Sequence, residues 1–312
     1  DLRMDYSAIG QSTHLAHRMA QMAPADSIFI TRSVRHLAEG FVTAPLVGNV
    51  RVKGLKNPVD VYQLTGARYG ATRLQAAAVR GLTPLVGREA DLEKIAQAQT
   101  AAMQGRGQVV ALVGEPGVGK SRLVWEATTS SRVGGWLLLE TAALAYTKST
   151  PYRVAVDWLK GYLQLEPEDD DHKIAEALEG KLAGLGDGLL ELLPAFQSLL
   201  DIPVVDPGWS ALDAMVRRQR ILEALRRLLL RESQIQPLLL VVEDVQWIDF
   251  ESQAFLDGFV DSLAAARIVL IATHRPEYRH DCSRHTYFTR LAINTVMPPN
   301  TDQLPATVLG HS

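Results

Sequence analysis

The sequence predicts an α/β fold for most of the chain: a parallel sheet of the phosphate-loop NTPase type with a helical insertion, preceded by a partial α+β (ferredoxin-like) piece. Three observations predict it. From Leu82 onward, apolar runs of strand length alternate with helical stretches. The segment GEPGVGKS, residues 114–121, directly follows the apolar run QVVALV. A second apolar run, PLLLVV, ends in the acidic pair Glu243 and Asp244.

Three regions follow along the chain. In residues 1–66, Leu15, Met19 and Met22 recur at helical spacing, SIFIT reads as a strand, and a short helix passes through Val34 and Leu37. VRVKG and VDVYQLTG then read as paired strands. Residues 67–81, ARYGATRLQAAAVRG, are rich in Ala and Arg without an apolar period and read as an interdomain linker. Residues 82–312 give, in order, a helix, the strand and loop around GEPGVGKS, a helix from Arg122 and a strand in WLLLETAAL. A long helical stretch, a strand in PLLLVVEDV, a helix and a strand in ARIVLIATHR complete the pattern.

The helical stretch, residues 151–233, is interrupted by residues 184–188 and by DIPVVDPGW, and reads as an insertion in the α/β domain. Within it, EPEDDD has a metal-like composition but is explained by a solvated helix start. RRQRILEALRRLLLRES sets an apolar stripe of Ile221, Leu222, Leu225, Leu228 and Leu229 against arginines on the outer face. Those arginines serve solvation, or reach a phosphate on a neighbouring molecule.

Composition narrows the classes of function. At 312 residues the chain has room for roughly two domains at about 100 to 200 residues each. A hydrophobic fraction of 47%, a charged fraction of 21% and a net charge of -3 give no basic excess that would point to nucleic acid. The single cysteine, Cys282, excludes an internal disulfide and zinc held by cysteine clusters, and suits a reducing compartment. PLLLVV and RIVLIA are too short to span a bilayer and no signal pattern precedes them, so a cytoplasmic protein without a membrane partner is expected. The chain begins at Asp1 rather than Met, and the reading expects a piece of a longer protein.

In GEPGVGKS the spacing of Gly, four residues, Gly, Lys, Ser matches a loop whose backbone N-H groups surround phosphates. Gly114, Glu115, Pro116, Gly117, Val118, Gly119, Lys120, Ser121 and Arg122 are therefore the candidate ATP-binding residues. Lys120 would reach the β- and γ-phosphates, and the Ser121 hydroxyl would sit on Mg²⁺. A turn glycine alone would give no reason for Lys-Ser after the last glycine. Glu243 and Asp244 end a strand where open α/β sheets place their ligand crevice. Glu243 is assigned to Mg²⁺, directly or through water, and Asp244 to positioning or activating the attacking water. Arg275 ends the next strand, RIVLIATHR, as a sensor of the γ-phosphate or as an ordinary surface arginine. Val86, Gly87 and Arg88 precede an amphipathic helix in PLVGREADLEKI.

The ordered motifs VGRE, GEPGVGKS, VVEDVQWID and ATHRPE together resemble the STAND class of AAA-like signalling ATPases, over Leu82 to about Val296. The resemblance implies that VGRE lies against the adenine and that the strand-end arginine reads the γ-phosphate. The winged-helix module in which such proteins continue is not in this sequence.

In the first region, DYSAIGQSTHLAHRM and VKGLKNPVDVYQLTG resemble the last third of a class III adenylate or guanylate cyclase domain. That resemblance implies a transition-state role for Arg18, with His14 where the family carries Asn and Ser7 at the purine-reading position. His14 is otherwise a polar helix residue. The family's two metal-binding aspartates fall outside the sequence, so no cyclisation is expected from this chain alone. A homo-oligomer or a cyclase dimer formed through this piece is a candidate partnership.

The function expected is an Mg²⁺-dependent, slowly hydrolysing ATP switch attached to a cyclase domain in signal transduction. The alternatives are an active cyclase in a longer parent, with a non-hydrolysing ATP sensor, and a transcription-regulating assembly scaffold.

Overall fold

The computed structural model describes residues 10–38, 42–52, 58–67, 82–130, 133–145, 148–166, 168–278 and 284–295. Ser7, Cys282 and residues 68–81 of the expected linker lie outside them. The chain divides into two compact units, Asp1–Leu82 and Thr83–Ser312.

The first unit contains α1 (Gln11–Met22), β1 (Ile28–Thr31), α2 (Arg32–Leu37), β2 (Val42–Thr43), β3 (Leu46–Val50), β4 (Val59–Leu64) and β5 (Gly66–Ala67). Strands β1, β4 and β3 form an antiparallel sheet in that order, and β2 pairs with β5. Two expectations shift. The strand expected at VRVKG lies earlier, because β3 pairs with β4 from Leu46 to Val50 and leaves Arg51 and Val52 beyond it. Ala67, placed in the linker, pairs with Val42. Met19, Val61 and Tyr62 are buried, while Ile28, Leu37, Leu46 and Val47 are exposed.

The second unit runs α3 (Glu89–Met103), β6 (Gln108–Val113), α4 (Lys120–Thr129), β7 (Leu137–Ala142), α5 (Arg153–Leu163), α6 (Asp171–Leu185), α7 (Leu193–Leu199), α8 (Pro207–Ser210), α9 (Ala214–Ile235), β8 (Leu238–Glu243), α10 (Phe250–Val260), β9 (Ile268–His274) and β10 (Phe288–Ala292). Its five strands are parallel in the order β10-β6-β9-β8-β7. Alternate residues enter opposite cores, as the two-residue period of a strand requires. Val110, Leu112, Leu239, Val241, Val269 and Ile271 pack with α3 and α4. Leu238, Leu240, Val242, Ile268 and Leu270 pack on the other face with α5, α9, α10 and the helical insertion.

Strand β10 was not anticipated. FTRLA is a short edge strand in which only Leu291 is buried, so it carries almost no apolar signal.

The acidic run of the insertion behaves as its composition suggested, whereas two arginines expected to serve solvation are engaged within the chain. Asp170 caps α6 by accepting from the Lys173 N-H at 2.9 Å, and Asp169 pairs with the Lys173 ammonium. Arg231 and Arg227 of α9 donate to the carbonyls of Leu185 at 2.9 Å and Gly188 at 2.8 Å, satisfying groups at the end of α6 and just beyond it. Among the described residues no helix is long and apolar enough to cross a membrane.

Candidate nucleotide site

The loop between β6 and α4 has the backbone its glycines predict. Gly117 and Gly119 adopt φ of 82° and 96°, a left-handed region that disfavours residues with a Cβ. Gly114 answers a different need: a Cβ there would come within 2.3 Å of the Ile293 carbonyl oxygen just beyond β10. The helix that follows begins at Lys120, two residues earlier than the sequence suggested, and no side chain caps it. Its first N-H groups are therefore open to an anion, at the positive end of the helix dipole.

The Lys120 side chain folds back over the loop and donates to the carbonyls of Gly114 at 2.7 Å and Glu115 at 3.0 Å. Lys120 is only 8% exposed. Burial lowers its pKa, and the charges of Asp244, Arg275, Glu115 and Glu243 all act on it, Asp244 most strongly among them. Lys120 thus lies within the electrostatic reach of the acidic pair and the arginine while its ammonium is bonded to the loop.

Glu243 ends β8 and is 8% exposed. The Ser121 hydroxyl donates to its carboxylate. Burial raises the Glu243 pKa, the Ser121 hydrogen bond opposes that shift, and Asp244 adds to it. A buried carboxylate beside a hydroxyl is a fitting pair of oxygen ligands for a hard cation, whose charge would offset the desolvation that raises the Glu243 pKa. Among the described residues no group of three or more His, Cys, Asp and Glu side chains could hold a metal by itself. A magnesium ion here would take its remaining ligands from phosphate oxygens and water, as that ion commonly does.

A model of the AAA ATPase domain matches residues 84–271, which contain the loop, the acidic strand and most of β9. The chain belongs to the AAA ATPase domain family. A Rhizobium meliloti (strain 1021) protein described as uncharacterized is 27% identical over 299 residues, covering 91% of this chain. The chain spans only 27% of that relative's length. Among solved structures, the Aeropyrum pernix ORC1 protein in complex with DNA is 16% identical with a TM-score of 0.41, over 72% of this chain and 50% of that one. Drosophila ORC bound to DNA is 12% identical with a TM-score of 0.38, over 84% and 53%.

In this AAA ATPase domain, β9 lies between β6 and β8, so its C-terminal end separates the phosphate loop from the acidic pair. The Thr273 hydroxyl accepts from the Asp244 N-H at 2.9 Å. Asp244 is left-handed at φ 56°, and its carboxylate accepts from the Gln246 side-chain amide at 2.9 Å. The Arg275 guanidinium rests 5.8 Å from the centre of the Trp247 ring and 3.9 Å from Glu277. Its charge helps to lower the Lys120 pKa.

Two predicted contacts are engaged elsewhere. Arg88 is 8% exposed, and its guanidinium donates to the Val118 carbonyl at 3.0 Å, to the Asn294 carbonyl, and to Asp91 at 3.4 Å. It braces the phosphate loop to the chain beyond β10; of the rest of the predicted group, Gly87 is left-handed. Arg122 donates to Glu126 at 2.9 Å and to the Thr83 carbonyl at 2.6 Å, so its guanidinium anchors the chain before α3. In the first unit, Arg18 donates to Gln21 at 2.8 Å on the exposed face of α1, and His14 shares that helix.

One buried acid escaped the sequence reading. Asp249, 3% exposed, accepts from the N-H groups of Tyr152 and Ser252 at 2.9 Å and of Arg153 at 3.2 Å. It thereby caps α10 and holds the start of α5. The D-x-x-S spacing of Asp249 and Ser252 signals the first of these roles, whereas the second joins residues 97 apart.

Proposed function

We propose that the second unit binds ATP with Mg²⁺ at the β6–α4 loop and hydrolyses it slowly, as a conformational switch in signal transduction. The observation that carries this reading is the Ser121–Glu243 hydrogen bond, with the ammonium of the preceding residue, Lys120, folded over the loop. It brings the phosphate loop and the acidic strand end to one point, as a phosphate-bound cation requires.

In this reading the amides of Glu115 and of Gly117 to Ser121, with the N-terminus of α4, hold the β- and γ-phosphates. Lys120 leaves the Gly114 and Glu115 carbonyls to meet them. The ion supplies charge neutralisation at the phosphates, with Ser121 and Glu243 as its protein ligands. Asp244 orients the attacking water, and Arg275 moves from Trp247 to the γ-phosphate. Replacing Asp244 with Asn tests the assignment. ATP stays bound while phosphate release falls by about a hundredfold, within the range for a positioned acid or base. Unchanged turnover would show that Asp244 has another role.

For the first unit we infer the C-terminal part of a class III cyclase domain through residue 67, whose Ala67 pairs with Val42, with residues 68–81 as the linker and a STAND-type arrangement in the second unit. The motif around His14 and Arg18 supports this, as do Ile28, Leu37, Leu46 and Val47, which stand exposed as they would on part of a larger domain or at a dimer contact. Arg18→Ala in a longer protein containing this chain should lower cyclic nucleotide formation more than substrate binding. Equal loss of both would remove Arg18 from the reaction.

A further inference from the structure

Gln246 lies in the 3₁₀ turn, Val245–Trp247, that follows Asp244. Both ends of its side-chain amide are engaged. Nε2 donates to Asp244 Oδ1 at 2.9 Å, and Oε1 accepts from the Arg275 backbone N-H at 3.3 Å. Asp244 and Arg275 follow adjacent strands, β8 and β9, so one side chain bridges the two strand ends that face the phosphate loop. Only one orientation of the amide satisfies both partners, because a carboxylate must receive a donor and an N-H must meet an acceptor.

We propose that Gln246 is a positioning residue of the nucleotide site, which sets the Asp244 carboxylate and fixes the root from which the Arg275 side chain reaches the γ-phosphate. This rests on the ATP reading above and adds to it the coupling between the acid and the arginine. The choice of residue follows from chemistry. A glutamate would face Asp244 with like charge, and a lysine could engage Asp244 but not accept the Arg275 N-H. Leucine has a similar volume but neither function. The left-handed backbone of Asp244 is a strained conformation for a residue with a Cβ, and such strain persists where surrounding bonds fix it. Here the Thr273 hydroxyl holds the Asp244 N-H and Gln246 holds its carboxylate.

The test compares wild type, Gln246→Leu and Gln246→Glu in the whole chain. It measures calorimetric affinity for Mg·ATP and Mg·ADP, phosphate release, and thermal midpoint. Gln246→Leu should bind Mg·ADP within about twofold of wild type but lose about five- to tenfold in preference for Mg·ATP, the worth of one hydrogen bond set in a phosphate site. Turnover should fall at least as far. Gln246→Glu, facing the Asp244 carboxylate and the Arg275 backbone N-H, should approach wild type as the pH is lowered and its protonated carboxyl regains a donor, and fall away as the pH rises. If Gln246→Leu weakens ADP and ATP equally in step with a lowered thermal midpoint, and Gln246→Glu shows no such pH dependence, Gln246 is only a brace of the turn. An unchanged ATP to ADP preference also overturns the proposal while leaving the nucleotide reading intact. A wild type that binds neither nucleotide overturns both.

Discussion

The Ser121 hydroxyl donates to the Glu243 carboxylate across 122 residues of chain, joining the first turn of α4 to the end of β8. Burial is the main reason the Glu243 pKa is raised, so the folded protein holds that proton more tightly than the unfolded chain does. Stability therefore falls as the pH rises from the ordinary carboxylate value toward the raised one, and the loss is complete above it. Without metal, Glu243→Gln should melt at a higher temperature than wild type near neutral pH, with the difference closing below about pH 4.5, the ordinary value. Melting curves across this range check it. A variant no more stable than wild type at neutral pH would mean that the carboxylate is already compensated.

Asp249→Ala removes three backbone hydrogen bonds from a buried site at the starts of α5 and α10. A loss of about 2 to 4 kcal/mol is expected in denaturant titration, since one lost cap costs about 1 kcal/mol and buried unsatisfied donors cost more. A loss below about 0.5 kcal/mol, the size of an ordinary surface change, would contradict the double role.

Arg88→Ala should weaken ATP and GTP by the same factor, about tenfold for a lost charge-assisted contact, because its guanidinium grips loop carbonyls rather than a base. Competition binding with the two nucleotides separates these roles. A loss confined to ATP would place Arg88 on the adenine instead.

The parts of the site legible in the sequence are those whose chemistry is consecutive. GEPGVGKS states its turn glycines, its lysine and its hydroxyl in one stretch, and LLLVVED joins buried strand to acidic end without a break. The alternation of helices and strands was equally plain, since buried parallel strands are continuous apolar runs. Contacts distant in sequence were not legible. Arg88 reads as part of a short motif, yet its guanidinium bonds the Asn294 carbonyl 206 residues away. Gln246 and Asp249 sit in VVEDVQWID, and only the adjacency of β8 to β9 and of α10 to α5 gives them their distant partners, the N-H groups of Arg275 and of Tyr152 and Arg153. Arg122 looked like a continuation of the phosphate motif because pattern cannot show that Glu126 and Thr83 already engage it. β10 was missed because an edge strand with one buried side chain has no period to detect.

The Arg275 guanidinium over Trp247 gives an optical readout of the proposed switch. Mg·ATP should change tryptophan emission more than Mg·ADP does, and Trp247→Phe should abolish that difference while the protein's other tryptophans continue to emit. Identical emission changes with both nucleotides would mean that Arg275 stays where it is.

Calorimetric titration of Mg·ATP into wild type and Lys120→Ala tests the nucleotide assignment most directly. Lys120 contributes a buried positive charge where the loop amides, Ser121, Glu243 and Asp244 converge. Wild type should bind one equivalent, and Lys120→Ala should bind at least about tenfold more weakly, the worth of a charge-assisted hydrogen bond to phosphate. Equal affinity in the two proteins would contradict the assignment of the β6–α4 loop as the phosphate site.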